Sequence, residues 1–175
     1  MDLFLVRHGE TSANKAGIVQ GWLDTSLNEE GAKEAKQAAA LFDEDIDVIY
    51  SSDLQRARQT AAEFRHKYPA VPYFEDRRLR ERDFGDATGT HRDRVDWAVF
   101  WAASDTVSIP NAETLAAFNE RVLSFVKDIK AAGFARALIV THGGTINRLR
   151  ALTTTDQTHV QYGNASVTHL VVALP

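Results

Sequence analysis

Two apolar stretches near opposite ends of the chain run into the same pair of residues. Leu3-Phe4-Leu5-Val6 leads into Arg7-His8-Gly9, and the segment from Arg136 to Thr141 leads into His142-Gly143-Gly144. A short unbroken apolar run is the pattern of a strand covered on both faces, as in parallel sheets. Open sheets of that kind bind ligands beyond the carboxyl ends of their strands. If these two strands are neighbours, His8 and His142 face one another across a small crevice. Gly9, Gly143 and Gly144 would then let a ligand approach the backbone closely.

The remaining pattern supports such a sheet. IDVIY (46–50) reads as a second buried strand, VPYF (71–74) as an edge strand bounded by Pro69 and Pro72, and the alternating VTHLVVAL (167–174) as the last strand. Between them lie helical spacings. Asn28 caps a helix with Glu29 and Glu30 in its first turn and Ala32, Ala35, Ala39 and Phe42 on one face. Ser51-Ser52-Asp53 supplies an N-cap for a helix carrying Leu54, Ala57, Ala61 and Phe64, with Arg56 off that stripe near its start. Leu115, Phe118, Val122, Phe125 and Ile129 define a long amphipathic helix closed by Gly133, and a short helix follows Gly144. Residues 92–103 form an expected helix whose aromatics point to more than one face, either as core or as the wall or lid of a pocket. LRERDFGDATG (79–89) is polar and glycine-punctuated, hence a loop. Strands alternating with helices predict an α/β fold, a three-layer α/β/α sandwich with a mostly parallel central sheet, in one domain spanning 1–175.

Composition narrows the function. The chain is 44% hydrophobic and 25% charged, ordinary for a soluble globular protein, and a domain of this length buries roughly 70% of its unfolded surface. A net charge of −4 and no basic tract disfavour a nucleic acid partner, so any anion site must be built locally. The absence of cysteine excludes disulfides, thiolate metal sites and a thiol nucleophile. The opening residues lack a basic n-region and no run approaches the ~20 apolar residues of a membrane helix. A cytoplasmic protein with no membrane partner is therefore expected. Oligomeric state is not legible.

The crevice suits one kind of ligand. Arg7 and Arg56 offer planar forks for phosphate oxygens, the helix near Asp53 would present its positive end, and neutral imidazole is a nucleophile. Nearby guanidinium groups keep His8 neutral, and no metal or other cofactor is needed to balance the charge. A leaving alkoxide needs a proton, and Glu81 in the loop after the edge strand is the candidate acid. Bland readings stand beside these. A strand-end histidine is commonly structural, Arg56 alone reads as a solvated helix residue, and Glu81 among Arg77, Arg78, Arg80 and Arg82 could be an exposed ion pair. Those arginines either recruit anionic substrates or form a solvated loop. His66, His91, His159 and His169 show no metal-ligand spacing, and no P-loop motif occurs.

LVRHGET (5–11), SSDLQRARQTA (51–61), LRERDFG (79–85), IPNAETL (109–115), VTHGGTINRL (140–149) and NASVTHL (164–170) together resemble, in order, the blocks of the histidine phosphatase superfamily, with its phosphoglycerate mutase-like fold. The resemblance implies that His8 is the phosphorylated nucleophile, that Arg7, Arg56 and His142 form the phosphate pocket, and that Glu81 is the proton donor. Asn14, Gln20 and the Gly143 amide match positions that contact substrate or phosphate. The sequence departs from the pattern at Thr88, where a glutamate is common, and at Asn111 and Ala112, where glycines are common, so the specificity wall should differ. The short stretch between Gly89 and Pro110 is similar to the phosphatase branch, implying a phosphomonoesterase acting on a small phosphorylated metabolite. The alternatives are a phosphoglycerate mutase and a phospho-ligand-binding module with little turnover.

Overall fold

The computed structural model describes residues 1–101, 109–155 and 158–172. The elements run β1 (Asp2–Arg7), α1 (Ser12–Lys15), α2 (Glu29–Leu41), β2 (Val48–Ser51), α3 (Gln55–Lys67), β3 (Tyr73–Glu75), α4 (Trp97–Trp101), α5 (Leu115–Ala131), β4 (Arg136–Thr141), α6 (Gly143–Thr153) and β5 (Val167–Val171). The sheet has five strands in the order β3-β2-β4-β1-β5, parallel except for β5, which runs antiparallel to β1. This is the mixed α/β architecture that the strand and helix pattern predicts.

The continuous apolar runs belong to the inner strands because both faces of the sheet are covered. Phe4, Val6, Ile49, Leu138 and Val140 pack on one side with Ala39 of α2 and Ala57, Ala61 and Phe64 of α3. Leu3, Leu5, Val48, Ala137 and Ile139 pack on the other with the stripe Phe118, Val122, Phe125 and Ile129 of α5 and with Ile146 and Leu149 of α6. The edge strands are different. In β5 only Leu170 is buried and Val171 is exposed, so one face meets water and the sequence alternates. Pro72 precedes the three-residue β3, where a missing N–H is tolerated at a sheet edge.

Helix ends follow local chemistry, with two corrections. Asn28 and Thr114 cap α2 and α5 by accepting from Gly31 N and Ala117 N. At α3 the expected capping run does not cap: the helix begins at Gln55 after Leu54, and the free amides of Gln55 and Leu54 are taken by Asp24 Oδ1 at 2.6 Å and Ser52 Oγ at 3.3 Å. Asp53 instead pairs with Arg80. The helix expected over 92–103 is broken into a 3-10 turn at Arg92–Arg94 and the short α4, with Val95 extended between them. Its last two residues lie outside the described residues, as does the chain beyond Val172. No helix among the described residues is long and apolar enough to cross a membrane.

Candidate active site

Register brings the two histidines together. β1 and β4 pair in parallel with Arg7 opposite Thr141, so the residues that follow leave the sheet side by side, and His8 N donates to Thr141 O at 2.9 Å. Their rings lie 5.1 Å apart, centroid to centroid, at 62°. Ser52, where β2 ends, reaches His142 Nε2 at 3.0 Å. Three neighbouring strand ends therefore converge on one cavity of about 430 Å³, lined among others by Arg7, His8, Arg56, Glu81, His142 and Gly143. Asn14 and Gln20 line it too. These eight residues thus border a single cavity, as does Gly144, whereas Gly9 does not: a Cβ there would sit 2.4 Å from Gly31 O, so its bare backbone makes room for α2 and not for a ligand.

The hydrogen bonds fix the state of His8. Its Nδ1 lies 2.8 Å from Gly9 O, and a carbonyl only accepts, so Nδ1 carries the proton and Nε2 keeps its lone pair. Arg56 Nε donates to that Nε2 at 3.3 Å. Arg56 is not the solvated helix residue that its place off the apolar stripe suggests. It is 1% exposed, its Nη1 and Nη2 donate to Leu23 O and Gly21 O at 2.7 and 2.9 Å, and burial lowers its pKa to about 10, so it remains charged at neutral pH. Burial, then Arg56 and Arg7, pushes His8 well below its ordinary value of 6.5. Burial and Arg56 do the same to His142. Arg7 donates through Nη1 to Tyr162 O at 2.5 Å. Its Nε and His142 Nδ1 are buried with no protein partner among the described residues, and the guanidinium N–H is a donor suited to an anion. The N-terminus of α6, beginning at Gly143, also opens on the cavity, a role expected of the helix near Asp53.

Glu81 is held by two backbone amides that favour its carboxylate, and burial opposes them. Its carboxyl accepts from Arg82 N at 2.9 Å and from Gly144 N at 2.8 Å, yet its pKa is raised because burial outweighs those bonds and the pull of Arg121 and Arg56. Gly144 is required for this contact: a Cβ there would sit 2.3 Å from Glu81 Oε1 and 2.9 Å from Trp101 Cη2. Three of the four arginines around Glu81 are engaged within the protein, and Arg77 is exposed. Arg78 pairs with Asp76 and Asp128, Arg80 with Asp53, and Arg82 donates to Glu113 O and Phe100 O. Asn14 closes a capping box with Thr11 at α1, and Gln20 accepts from Thr11 and Thr25 through Oε1. Beyond the polar end, the cavity is walled by Val19, Phe84, Trp97, Trp101 and Val160, with Arg92 and His159 among its polar lining. Of the two aromatic roles open in the sequence, Phe100 is core while Trp97 and Trp101 are wall.

The sequence did not reveal Ser52, Thr60, Trp22, Tyr162 or the Arg121–Glu113 pair. Thr60 Oγ1 accepts from Gly9 N at 3.0 Å, fixing the loop after β1. Only Ser52 carried a local signal, through its place at a strand end.

A mostly parallel sheet whose strand ends carry two facing imidazoles, with guanidinium groups and a carboxyl lining the same cavity, defines an α/β protein with a site suited to an anion. The sequence pattern of the histidine phosphatase superfamily (branch 1) matches residues 3–173, and the chain belongs to that superfamily. The assignment as a phosphatase of this superfamily holds at that level. A Hydrogenobacter thermophilus relative whose name assigns it to the phosphoserine phosphatases is 32% identical over 183 residues, covering 96% of this chain and 88% of its own. The mycobacterial glucosyl-3-phosphoglycerate phosphatase superposes with a TM-score of 0.84 at 29% identity, covering 96% and 88% of the two chains. Phosphoglycerate mutase from Thermus thermophilus superposes with a TM-score of 0.76 at 30% identity over 100% of both.

Proposed function

We propose that this chain is a phosphomonoesterase for a small phosphorylated metabolite, working through a phosphohistidine at His8 Nε2. The observation that carries the reading is the Nδ1–H bond to Gly9 O, which leaves Nε2 unprotonated beside Arg56. The phosphoryl oxygens would be bound by Arg7, Arg56, His142 Nδ1 and the Gly143 amide, with Asn14 and Gln20 nearer the substrate. Nε2 attacks phosphorus, the bond from phosphorus to the ester oxygen breaks, and that oxygen takes the proton of Glu81. Glu81, now a carboxylate, then accepts a proton from water as water attacks the phosphohistidine, releasing phosphate and restoring both groups.

Arg7 and Arg56 supply the positive charge that this transfer needs, so no step calls for a metal ion. The apolar wall of Val19, Phe84, Trp97, Trp101 and Val160 would face the leaving group. The names of relatives include both phosphatases and phosphoglycerate mutases, and the products separate the two. The enzyme is incubated with EDTA and a panel of phosphomonoesters that includes 3-phosphoglycerate. Inorganic phosphate should accumulate with turnover unaffected by the chelator. Isomer formation without phosphate release would make the chain a mutase, and tight binding without turnover a binding module.

A further inference from the structure

A single guanidinium outside the cavity lining holds the backbone that carries the acid. Arg121, on α5, uses every N–H it has. Nε and Nη2 donate to the carboxylate of Glu113 at 2.6 and 2.8 Å, Nη1 donates to Arg78 O and Arg80 O at 2.7 and 2.8 Å, and Nη2 also donates to Glu81 O at 2.8 Å. Five donors meet five acceptors, and three of the acceptors are carbonyls of the segment that ends at Glu81. The ion pair is nearly dry, with side chains 15% and 11% exposed.

The same segment is gripped elsewhere. Thr141 Oγ1 donates to Leu79 O at 2.6 Å and Thr145 Oγ1 to Arg80 O at 2.9 Å. Trp22 Nε1, on the connection between α1 and α2, donates to Glu81 O at 2.8 Å. The carbonyl of Glu81 is therefore held by α5 and by the connection between α1 and α2. Among the described residues, its carboxyl is oriented by the amides of Arg82 and Gly144 alone. Rotation of the peptide at Glu81 would swing that carboxyl away from Gly144.

We propose that Arg121, locked by Glu113, is a positioning residue for the proton donor, and that with Trp22 it fixes the Glu81 peptide so that the carboxyl reaches the leaving oxygen. The proposal rests on the reading of Glu81 as the acid. A group that only positions the acid matters in proportion to how much the leaving group needs a proton, whereas a group that only supports the fold matters equally for all substrates.

That difference is measurable with benzyl phosphate, whose alkoxide must be protonated, and 2,4-dinitrophenyl phosphate, whose phenolate leaves unaided. kcat/KM is the quantity to compare, because it reports the chain of steps up to phosphoryl transfer and excludes the common hydrolysis step. Arg121→Lys, Glu113→Gln and Trp22→Phe should each lower kcat/KM on benzyl phosphate at least about tenfold more than on 2,4-dinitrophenyl phosphate, a part of the 10²–10⁴ that general acid catalysis supplies in full. Glu81→Gln sets the scale and should show the same selectivity. Equal losses on both substrates in the three variants, with Glu81→Gln still selective, would overturn the positioning role. A Glu81→Gln variant without selectivity would instead remove the reading of Glu81 itself. Should the two charge variants fail to fold, Trp22→Phe, which deletes one donor and keeps an aromatic ring, decides the matter alone.

Discussion

At the scale of single residues, protonation decides what the site can do. His8 and His142 are both held below 6.5 by burial and by Arg56. The free enzyme should therefore keep its full kcat/KM as pH falls through 6.5, with the acidic limb appearing only below that value. An acidic limb centred above 6.5 would contradict the depressed His8. The same shifts act on stability. An imidazole whose folded pKa is lowered is neutral in the folded state while the unfolded chain takes up a proton below 6.5, so stability is full above that pH and falls as pH drops beneath it. Each such group contributes up to about 1.4 kcal/mol per pH unit, and His8→Asn with His142→Asn should flatten the decline in Tm between pH 6.5 and 5. Glu81 shifts the other way. Raised by burial, it stays protonated above the usual carboxylate range, so its ionisation should set the alkaline limb of kcat/KM on an alkyl phosphate. Glu81→Gln should abolish that limb, and a limb of unchanged midpoint in the variant would assign it to another group.

Elements place these residues, and some carry two duties on different faces. The core stripe of α5 includes Phe125, 1% exposed and edge-on to Tyr50 at 5.2 Å. Phe125→Ala should cost about 3–5 kcal/mol of stability, read by urea unfolding, while kcat of the folded fraction changes little. At the start of α6 the balance reverses. Gly144→Ala has no room between Glu81 and Trp101, so it should reduce turnover on benzyl phosphate by at least about tenfold for a strain of about 1–3 kcal/mol. Residues such as Arg121 escape a reading of the chain because their meaning is a set of contacts made across elements. Its partners lie at Arg78, Arg80, Glu81 and Glu113, and no periodicity or capping rule points there. Arg56 was legible as a residue of the site but its burial was not: being off the apolar stripe reads as exposure unless the loop carrying Gly21 and Leu23 is known to fold over it.

At the scale of the whole molecule, what was legible is what repetition and punctuation encode. Unbroken apolar runs gave the inner strands, alternation gave the edge strand β5, and the two His-Gly endings marked the sheet edge where the cavity lies. The chain's ordering of strands, with β4 between β1 and β2, is what brings His142 beside His8, and that order is set by packing on both faces and not by any local signal. The break between Arg94 and Trp97 was hidden because the aromatics around it suit either a helix or a wall. With the histidines neutral and the guanidinium groups buried around them, covalent transfer to His8 is the step on which the proposed chemistry turns. Rapid acid-free quenching of the enzyme during turnover of a labelled phosphomonoester tests it most directly. Label should remain on the protein as an acid-labile, base-stable phosphohistidine located at His8 and vanish in His8→Ala, whereas turnover with no labelled protein at any time, or label that persists in His8→Ala, would contradict it.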